Sequence, residues 1–148
     1  MFKRWLAPPL PVGTAAPDFS VPDQDGSRVT LSTLRGKNVV LVFYPADDTS
    51  VCTKQLCEFR DHWSDVQARN AVVFGVNPAR SRAHQKFREK CKFPFPLLID
   101  EGQTIAKLYQ AAGWLVPKRT VYLIGPDGTV RFARRGKPSP AEVLTAAA

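Results

Sequence analysis

The amino-acid sequence predicts an α/β fold in which a mixed central β-sheet carries helices on both faces. Residues 39–44 and 71–76 are continuous apolar runs rich in β-branched residues, which is typical of parallel strands buried on both faces. Segments with helical periodicity follow both runs. The length of 148 residues suits one domain. We therefore expect a single domain over residues 12–148, preceded by a Pro-rich N-terminal arm over residues 1–11.

The N-terminal half contains four predicted elements with short connections. They are a β-hairpin over 17–31, a helical turn over 32–36, the strand over 39–44 and a helix over 51–69. Four apolar residues of that helix recur at helical spacing and are expected to face the core: Leu56, Phe59, Trp63 and Val66.

The C-terminal half alternates strands and helices. Its predicted elements are a strand over 71–76, a helix over 80–91, a short strand over 94–99, a helix over 102–112 and a hairpin with strands over 120–124 and 129–135. The apolar stripes of the two helices are expected to be Ala83, Phe87 and Cys91 in the first, and Ile105, Leu108, Tyr109 and Ala112 in the second.

A last helix begins near the C-terminus with the pattern of a capping box. Ser139 is the predicted N-cap, Pro140 takes the first helical position and Glu142 the third. The complete order of elements predicts a thioredoxin-like α/β fold, in which an N-terminal β-hairpin precedes a central mixed sheet flanked by helices.

The chain is basic, with 21 Lys and Arg against 13 Asp and Glu, a formal net charge of +8. Six basic residues lie within 80–92 and four more within 131–137. These runs contain no zinc-ligand spacing and no recognised nucleic-acid motif, so we interpret them as solvated surface and expect no specific nucleic-acid partner. With two histidines, His62 and His84, and three cysteines, the chain offers little material for a metal site.

No apolar run approaches the roughly 18 residues that a membrane span needs, so no membrane partner is expected. The N-terminus has two cations but no apolar segment of the kind found in signal peptides. A cytoplasmic location is therefore the expectation, and in that reducing compartment the cysteines are expected to be free thiols.

Cys52 stands where a polar loop leaves the end of a buried strand and a helix begins. The start of a helix offers unpaired N–H groups and a partial positive charge, both of which favour a thiolate over a thiol. Thr49, three residues earlier, can supply a hydroxyl hydrogen bond. Cys52 is therefore the candidate reactive residue of the chain.

Cys57 lies five residues further along the same helix. It is then about 140° around the helix from Cys52 and about 7.5 Å along its axis, so the two cannot form a disulfide while the helix is intact. A bridge between them would require the first helical turns to unwind. Cys57 is expected on the face of Asp61 and Ser64, at the surface, whereas Cys91 on its apolar stripe is expected to be structural.

Residues 43–61, FYPADDTSVCTKQLCEFRD, closely resemble the active-site segment of peroxiredoxins. The pattern is a Pro, a Thr and a Cys at positions 45, 49 and 52 after an apolar strand, and the second Cys at 57 resembles the bacterioferritin comigratory protein, or peroxiredoxin Q, subfamily. The similarity extends from about Val12 to the C-terminal helix.

The resemblance implies a thiol-dependent peroxidase that reduces hydrogen peroxide and organic hydroperoxides without a metal or organic cofactor. It implies that Cys52 is the peroxidatic cysteine and Cys57 the resolving one, and that a dithiol, usually thioredoxin, reduces their disulfide. Pro45 would shield the site, Thr49 would hydrogen-bond the thiolate and the peroxide, and Arg119 matches the active-site arginine of the family. A monomer or a weak homodimer is expected.

Two segments depart from the pattern of the family. Ser50-Val51 stands where relatives usually have Pro-Gly, and a β-branched residue there predicts a stiffer loop. The loop over 112–118, expected to border the site, is shorter than in many relatives.

Three alternative functions compare less well with the sequence. A thioredoxin-type thiol–disulfide oxidoreductase would have Cys-x-x-Cys, whereas the spacing here is Cys-x4-Cys. A thioredoxin-like copper chaperone would need a histidine that returns to the cysteines, and neither His62 nor His84 is expected to do so. A basic nucleic-acid-binding module without peroxidase activity is the third alternative.

Overall fold

The computed structural model describes residues 7–148. A two-stranded hairpin, β1 (Ser20–Pro22) and β2 (Arg28–Thr30), precedes a five-stranded sheet. The strands of the sheet are β3 (Asn38–Phe43), β4 (Ala71–Asn77), β5 (Leu97–Ile99), β6 (Thr120–Ile124) and β7 (Val130–Arg135). Their order is β5-β4-β3-β6-β7, with β3, β4 and β5 parallel and β6 and β7 antiparallel to their neighbours. This confirms the predicted hairpin and mixed sheet.

Within residues 7–148, five α-helices and two short 3-10 turns complete the fold. The helices are α1 (Ser50–Asp61), α2 (Trp63–Ala68), α3 (Ser81–Cys91), α4 (Thr104–Leu108) and α5 (Pro140–Leu144), and the 3-10 turns are Leu31–Leu34 and Glu101–Gln103. Of the helices within residues 7–148, none is long and apolar enough to cross a membrane.

Alternate residues of β3 supply the centres of two hydrophobic layers. Val40 and Val42 pack into the layer that includes α1, α2, α3 and α5. Leu41 and Phe43 pack into the layer beneath the hairpin and α4. Every residue of β3 is buried, which confirms a central strand covered on both faces.

The predicted helix over 51–69 is two helices. At His62 the backbone turns to φ −106° and ψ 27°, which ends α1 and lets α2 start in a new direction. Trp63 is consequently only half-buried, whereas Leu56, Phe59 and Val66 are buried as expected.

The predicted helix over 102–112 is also shorter than expected. Gly102 and Gln103 adopt left-handed backbone angles, with φ 68° and 58°, and the carboxylate of Asp100 accepts the N–H groups of Ile105 and Ala106 at 2.7 and 2.9 Å. Asp100 therefore fixes the start of α4 later in the chain. Leu108, expected to be buried, is 46% exposed.

The buried stripe of α3 runs through His84, Phe87 and Cys91, not through Ala83. The imidazole of His84 is therefore buried where Ala83 was expected, because both of its nitrogens have hydrogen-bond partners inside the protein.

At the last helix, Ser139 accepts the N–H of Glu142 at 3.2 Å, while the carboxylate of Glu142 pairs with Arg134. Only the first half of the predicted capping box therefore forms.

The N-terminal arm was expected over residues 1–11, and residues 1–6 lie outside the described residues. Residues 7–11 form neither helix nor strand. Arg135 donates to the carbonyl of Ala7 at 2.6 Å, and the N–H of Leu10 donates to the hydroxyl of Tyr122 at 2.9 Å. This part of the arm is therefore fastened to the sheet.

Candidate active site

Cys52 occupies the third position of α1 and is 1% exposed. Thr49 is the N-cap of this helix, and its hydroxyl oxygen accepts the backbone N–H of Cys52 at 3.4 Å. The cap places the cysteine in the first helical turn, where the N–H groups and the helix dipole favour negative charge.

The prediction of a stiffer loop at Ser50-Val51 is wrong. Both residues already belong to α1, so Val51 adopts helical angles that a β-branched residue accommodates. The left-handed backbone position of this segment is Asp48, with φ 57°, and an Asp accommodates that conformation better than most residues.

Arg119 reaches Cys52 from the neighbouring strand. Because β3 and β6 are antiparallel and Phe43 pairs with Thr120, the residue before β6 lies next to the end of β3. One terminal nitrogen of the Arg119 guanidinium, Nη2, donates to the Cys52 sulfur at 3.2 Å. A cation at this distance stabilises a thiolate and can stabilise the negative charge that develops on a leaving oxygen.

Gln55 holds Arg119 in this position, and sequence reasoning missed it. Its Oε1 accepts from Nη1 of Arg119 at 2.7 Å, and its Nε2 donates to the carbonyl of Gly136 at 3.3 Å. Gln55 is 2% exposed. A polar residue three positions after Cys52, on the same helical face, is the sequence signal that could have identified it.

A chain of hydrogen bonds lies beneath the loop that carries Pro45, which is itself half-buried. The hydroxyl of Tyr44 donates to Asp47 at 2.6 Å, the other oxygen of Asp47 contacts Nδ1 of His84 at 2.6 Å, and Nε2 of His84 contacts the carbonyl of Leu98 at 2.8 Å. Since the carbonyl can only accept, Nε2 carries a proton and donates to it, and a second proton lies between Nδ1 and Asp47.

Burial and the neighbouring Asp47 carboxylate raise the pKa of Tyr44 well above its usual range, so its phenol stays protonated and donates. His84 was expected to have no reason to approach this segment. The structure instead places its imidazole directly on the loop before α1.

Cys57 is not at the surface with Asp61 and Ser64, as was expected. It is half-buried and packs against the hydrophobic layer that contains Cys91. Burial raises the pKa of the Cys91 thiol, and the nearby Cys57 thiol raises it further. All three cysteines are free thiols, and α1 is intact between Cys52 and Cys57.

The structure therefore brings Cys52, Thr49 and Arg119 together and places Cys57 elsewhere. The loop that leads into Arg119 exposes three large apolar side chains, Trp114 at 84%, Leu115 at 77% and Val116 at 45%. Within the part of the chain that the structure describes, no group of three or more His, Cys, Asp or Glu residues is placed to hold a metal ion.

The sheet order and the thiol at the start of α1 define a protein of the thioredoxin-like class with a candidate cysteine site. The model of the AhpC/TSA family matches residues 12–133. The chain belongs to this family, and its relatives there are peroxiredoxins of the Q and bcp type. This confirms the resemblance seen in residues 43–61.

Two relatives illustrate the similarity. Peroxiredoxin Q, chloroplastic, of Oryza sativa subsp. japonica is 39% identical over 131 residues, which cover 86% of this chain and 60% of the relative. Putative peroxiredoxin bcp of Coxiella burnetii is 39% identical over 132 residues, which cover 82% of this chain and 85% of the relative. The chain thus spans about 60% of the length of the rice protein and most of the bacterial one.

Solved structures confirm the predicted thioredoxin-like fold. Peroxidoxin BcpB from Mycobacterium tuberculosis superposes with a TM-score of 0.85 at 34% identity, over 91% of this chain and 94% of that protein. Xanthomonas campestris peroxiredoxin Q superposes with a TM-score of 0.80 at 26% identity, over 93% and 91% of the two chains.

Proposed function

We propose that this chain is a thiol-dependent peroxidase that reduces hydrogen peroxide and organic hydroperoxides at Cys52. The contact that carries the proposal is the 3.2 Å hydrogen bond from Arg119 to the Cys52 sulfur. It joins the start of α1 to β6 and places a cation on the one thiol that also stands at a capped helix start. The family of the chain supports the same function.

In the first step the Cys52 thiolate attacks one oxygen of the peroxide. A sulfur–oxygen bond forms, the oxygen–oxygen bond breaks, and the leaving oxygen departs as an alcohol or as water after taking a proton. Cys52 becomes a sulfenic acid. Arg119 stabilises the thiolate and then the charge on the leaving oxygen.

Thr49 and Pro45 assist at the mouth of the site. The Thr49 oxygen accepts the Cys52 N–H, so its own hydroxyl proton is free to donate to the bound peroxide. Pro45 follows the buried Tyr44 and has no N–H that needs water, so it shields the thiolate from solvent.

In the second step the Cys57 thiol attacks the sulfenic acid, and a disulfide forms with loss of water. Because both cysteines lie on α1, its first turns must unwind for this step. A dithiol protein such as thioredoxin then reduces the disulfide by exchange. Trp114 and Leu115, in the loop before Arg119, offer an exposed apolar surface for that partner.

Residues 12–148 form the peroxidase domain of this proposal, acting as a monomer or a weak homodimer. The protein operates in a reducing compartment, with the cytoplasm as our proposal, because its cycle needs free thiols and a dithiol reductant.

The test is peroxide consumption by the fully reduced protein without added reductant. With one equivalent of hydrogen peroxide, we expect the wild type to consume it and to lose two hydrogens in its intact mass, while Cys52→Ser consumes none above background. The matched variant Cys57→Ser should consume the first equivalent and then retain a sulfenic acid or its over-oxidised products. Wild-type consumption by Cys52→Ser would overturn the proposal.

A further inference from the structure

A third thiol has no part in the mechanism above. Cys91 is the last residue of α3 and is 7% exposed. Cys57 packs against the hydrophobic cluster that contains Cys91, and its thiol is near enough to raise the pKa of Cys91. Nη1 of Arg60, three residues after Cys57, donates to the carbonyl of Cys91 at 2.6 Å. The second half of α1 and the end of α3 are therefore held together at this point.

The two disulfides available to Cys57 differ in what they require. A Cys52–Cys57 bridge requires the first turns of α1 to unwind. A Cys57–Cys91 bridge joins side chains of one hydrophobic cluster, on two helices that the Arg60 contact already ties together. The second bridge therefore does not require the first turns of α1 to unwind.

We propose that Cys91 is a third redox residue. It replaces Cys52 as the disulfide partner of Cys57, so that the resting oxidised form contains a Cys57–Cys91 disulfide. The proposal rests on the peroxidase function proposed above. The Cys91 thiolate attacks the sulfur of Cys57 in the Cys52–Cys57 disulfide. The new bond forms as the old one breaks, and the electron pair leaves with Cys52 as a thiolate. The proton of Cys91 goes to solvent, and no external oxidant or reductant is needed.

Two features favour this exchange. The leaving thiolate, Cys52, returns to the start of α1 and to the Arg119 guanidinium, which stabilise its charge. Once Cys52 is released, α1 can re-form its first turns, including the cap from Thr49.

Ionisation of Cys91 sets the rate of the exchange. Burial raises its pKa, and Cys57 and Asp48 raise it further, while Lys90 lowers it. The Arg60 guanidinium faces the same end of α3. Because the thiolate fraction of a thiol with a raised pKa grows as the solution becomes more alkaline, the exchange should accelerate between neutral and alkaline pH.

The consequence is a second turnover before any reductant arrives. With Cys57 and Cys91 bridged, Cys52 is again a thiolate in an intact site and can react with another peroxide. The reduced protein therefore consumes about two equivalents of peroxide where a two-thiol protein consumes one.

The experiment is a titration of the fully reduced chain with one to three equivalents of hydrogen peroxide, without reductant. Samples are acid-quenched over time, alkylated, digested without reduction and analysed by mass spectrometry. In the wild type, a Cys52–Cys57 disulfide should give way to Cys57–Cys91 while Cys52 becomes alkylatable again. Two equivalents should be consumed rapidly, against one for Cys91→Ser and for its second variant Cys91→Ala.

Consumption of one equivalent by the wild type, with Cys52–Cys57 persisting, would overturn the relay but leave the peroxidase intact. A Cys52–Cys91 disulfide that forms as fast in Cys57→Ser as in the wild type would also overturn it, because Cys91 would then act directly on Cys52. No consumption by any of these proteins would instead overturn the peroxidase function itself. The wild-type time course needs no substitution, so the test does not depend on how well a variant folds.

Discussion

The contact between Arg119 and the Cys52 sulfur depends on a second residue, Gln55. Arg119 reaches the sulfur at 3.2 Å, and its other terminal nitrogen is fixed by the buried Gln55 at 2.7 Å. A guanidinium held at both ends loses less freedom when it meets the transition state than one held only by the reacting group. Gln55 is therefore a positioning residue, which acts on the reaction through Arg119.

Replacement of Gln55 with Met keeps the volume of the side chain but removes the acceptor of Arg119. We expect the second-order rate of the reduced protein with hydrogen peroxide to fall about tenfold, since a hydrogen bond to a charged group is worth roughly 1.5–3 kcal/mol. Stopped-flow measurement of tryptophan fluorescence gives this rate. Gln67→Met, the same change at an exposed position of α2, is the control and should react at the wild-type rate.

A double-mutant cycle separates positioning from general damage. If Gln55 acts through Arg119, Gln55→Met should lower the rate far less in an Arg119→Ala background than in the wild type. An equal loss in both backgrounds would show that the substitution harms the site in another way.

Among the helices, α1 must partly unwind for the proposed Cys52–Cys57 disulfide to form. Its cap at Thr49 is a single 3.4 Å hydrogen bond, and Val51 is 44% exposed. Among residues 50–53 only Cys52 is buried, so the first turn is restrained mainly through Cys52 and its contact with Arg119. The second half is more firmly held, because Leu56 and Phe59 are fully buried and Arg60 binds the end of α3. Unwinding should begin at the N-terminal end and stop near Cys57.

Amide hydrogen exchange tests this division. Cys91→Ser is suitable because only one disulfide can form within it, between Cys52 and Cys57. On oxidation, exchange over residues 50–57 should become faster by at least about tenfold, the loss of roughly 1.4 kcal/mol of local stability. Residues 63–68 in α2 serve as the internal reference. Unchanged exchange over 50–57 in the disulfide form would contradict the unwinding.

The hydrogen-bonded chain of Tyr44, Asp47 and His84 joins three elements around the site. It ties the loop after β3 to α3 and, through the carbonyl of Leu98, to β5. His84 is fully buried, so loss of its ring leaves the Asp47 carboxylate without its partner. The chain thus fixes the segment that leads into α1.

We expect His84→Ala to lower the free energy of unfolding by about 3 kcal/mol, because an oxygen of Asp47 loses its hydrogen-bond partner and the missing ring leaves a cavity. Tyr44→Phe removes one hydroxyl and keeps the Asp47–His84 contact, so a loss of about 1 kcal/mol is expected. Urea denaturation measures both. An unchanged free energy of unfolding in His84→Ala would mean that the Asp47–His84 contact adds nothing to stability.

At the scale of the whole molecule, the basic charge of the chain is distributed over internal contacts. In the run over 80–92, Lys90 pairs with Asp48 at 2.9 Å and Arg88 donates to the carbonyl of Phe95 at 3.0 Å. In the second run, Arg134 pairs with Glu142 and Arg135 donates to the backbone of Ala7 and Gln110. Many of these cations therefore stabilise the fold and are not arranged for phosphate groups.

A nucleic-acid-binding function would need more basic side chains free to contact phosphate groups than these two runs provide. We expect a labelled DNA duplex to show no binding tighter than about 100 µM at roughly 150 mM salt, by fluorescence anisotropy. Micromolar affinity with a steep dependence on salt would contradict this and would support the basic module as a second function.

Features that depend on neighbours in the chain could be predicted from the sequence alone. The apolar run over 39–44 predicted a strand covered on both faces, and the spacing of Thr49 and Cys52 placed a hydroxyl three residues before a cysteine at a helix start. Cap residues also predicted the start of the last helix at Ser139. These signals are local, because periodicity, caps and turns act within a few residues.

Contacts between residues far apart in the chain depended on the tertiary structure. The family resemblance named Arg119, which lies 67 positions after Cys52 and reaches it because β3 and β6 are paired in one register. The packing of Cys57 into the cluster that contains Cys91 and the burial of His84 both follow from the position of α3 beside α1. A helical pattern fixes which residues share a face, but the order of strands and the angle between helices determine what that face touches.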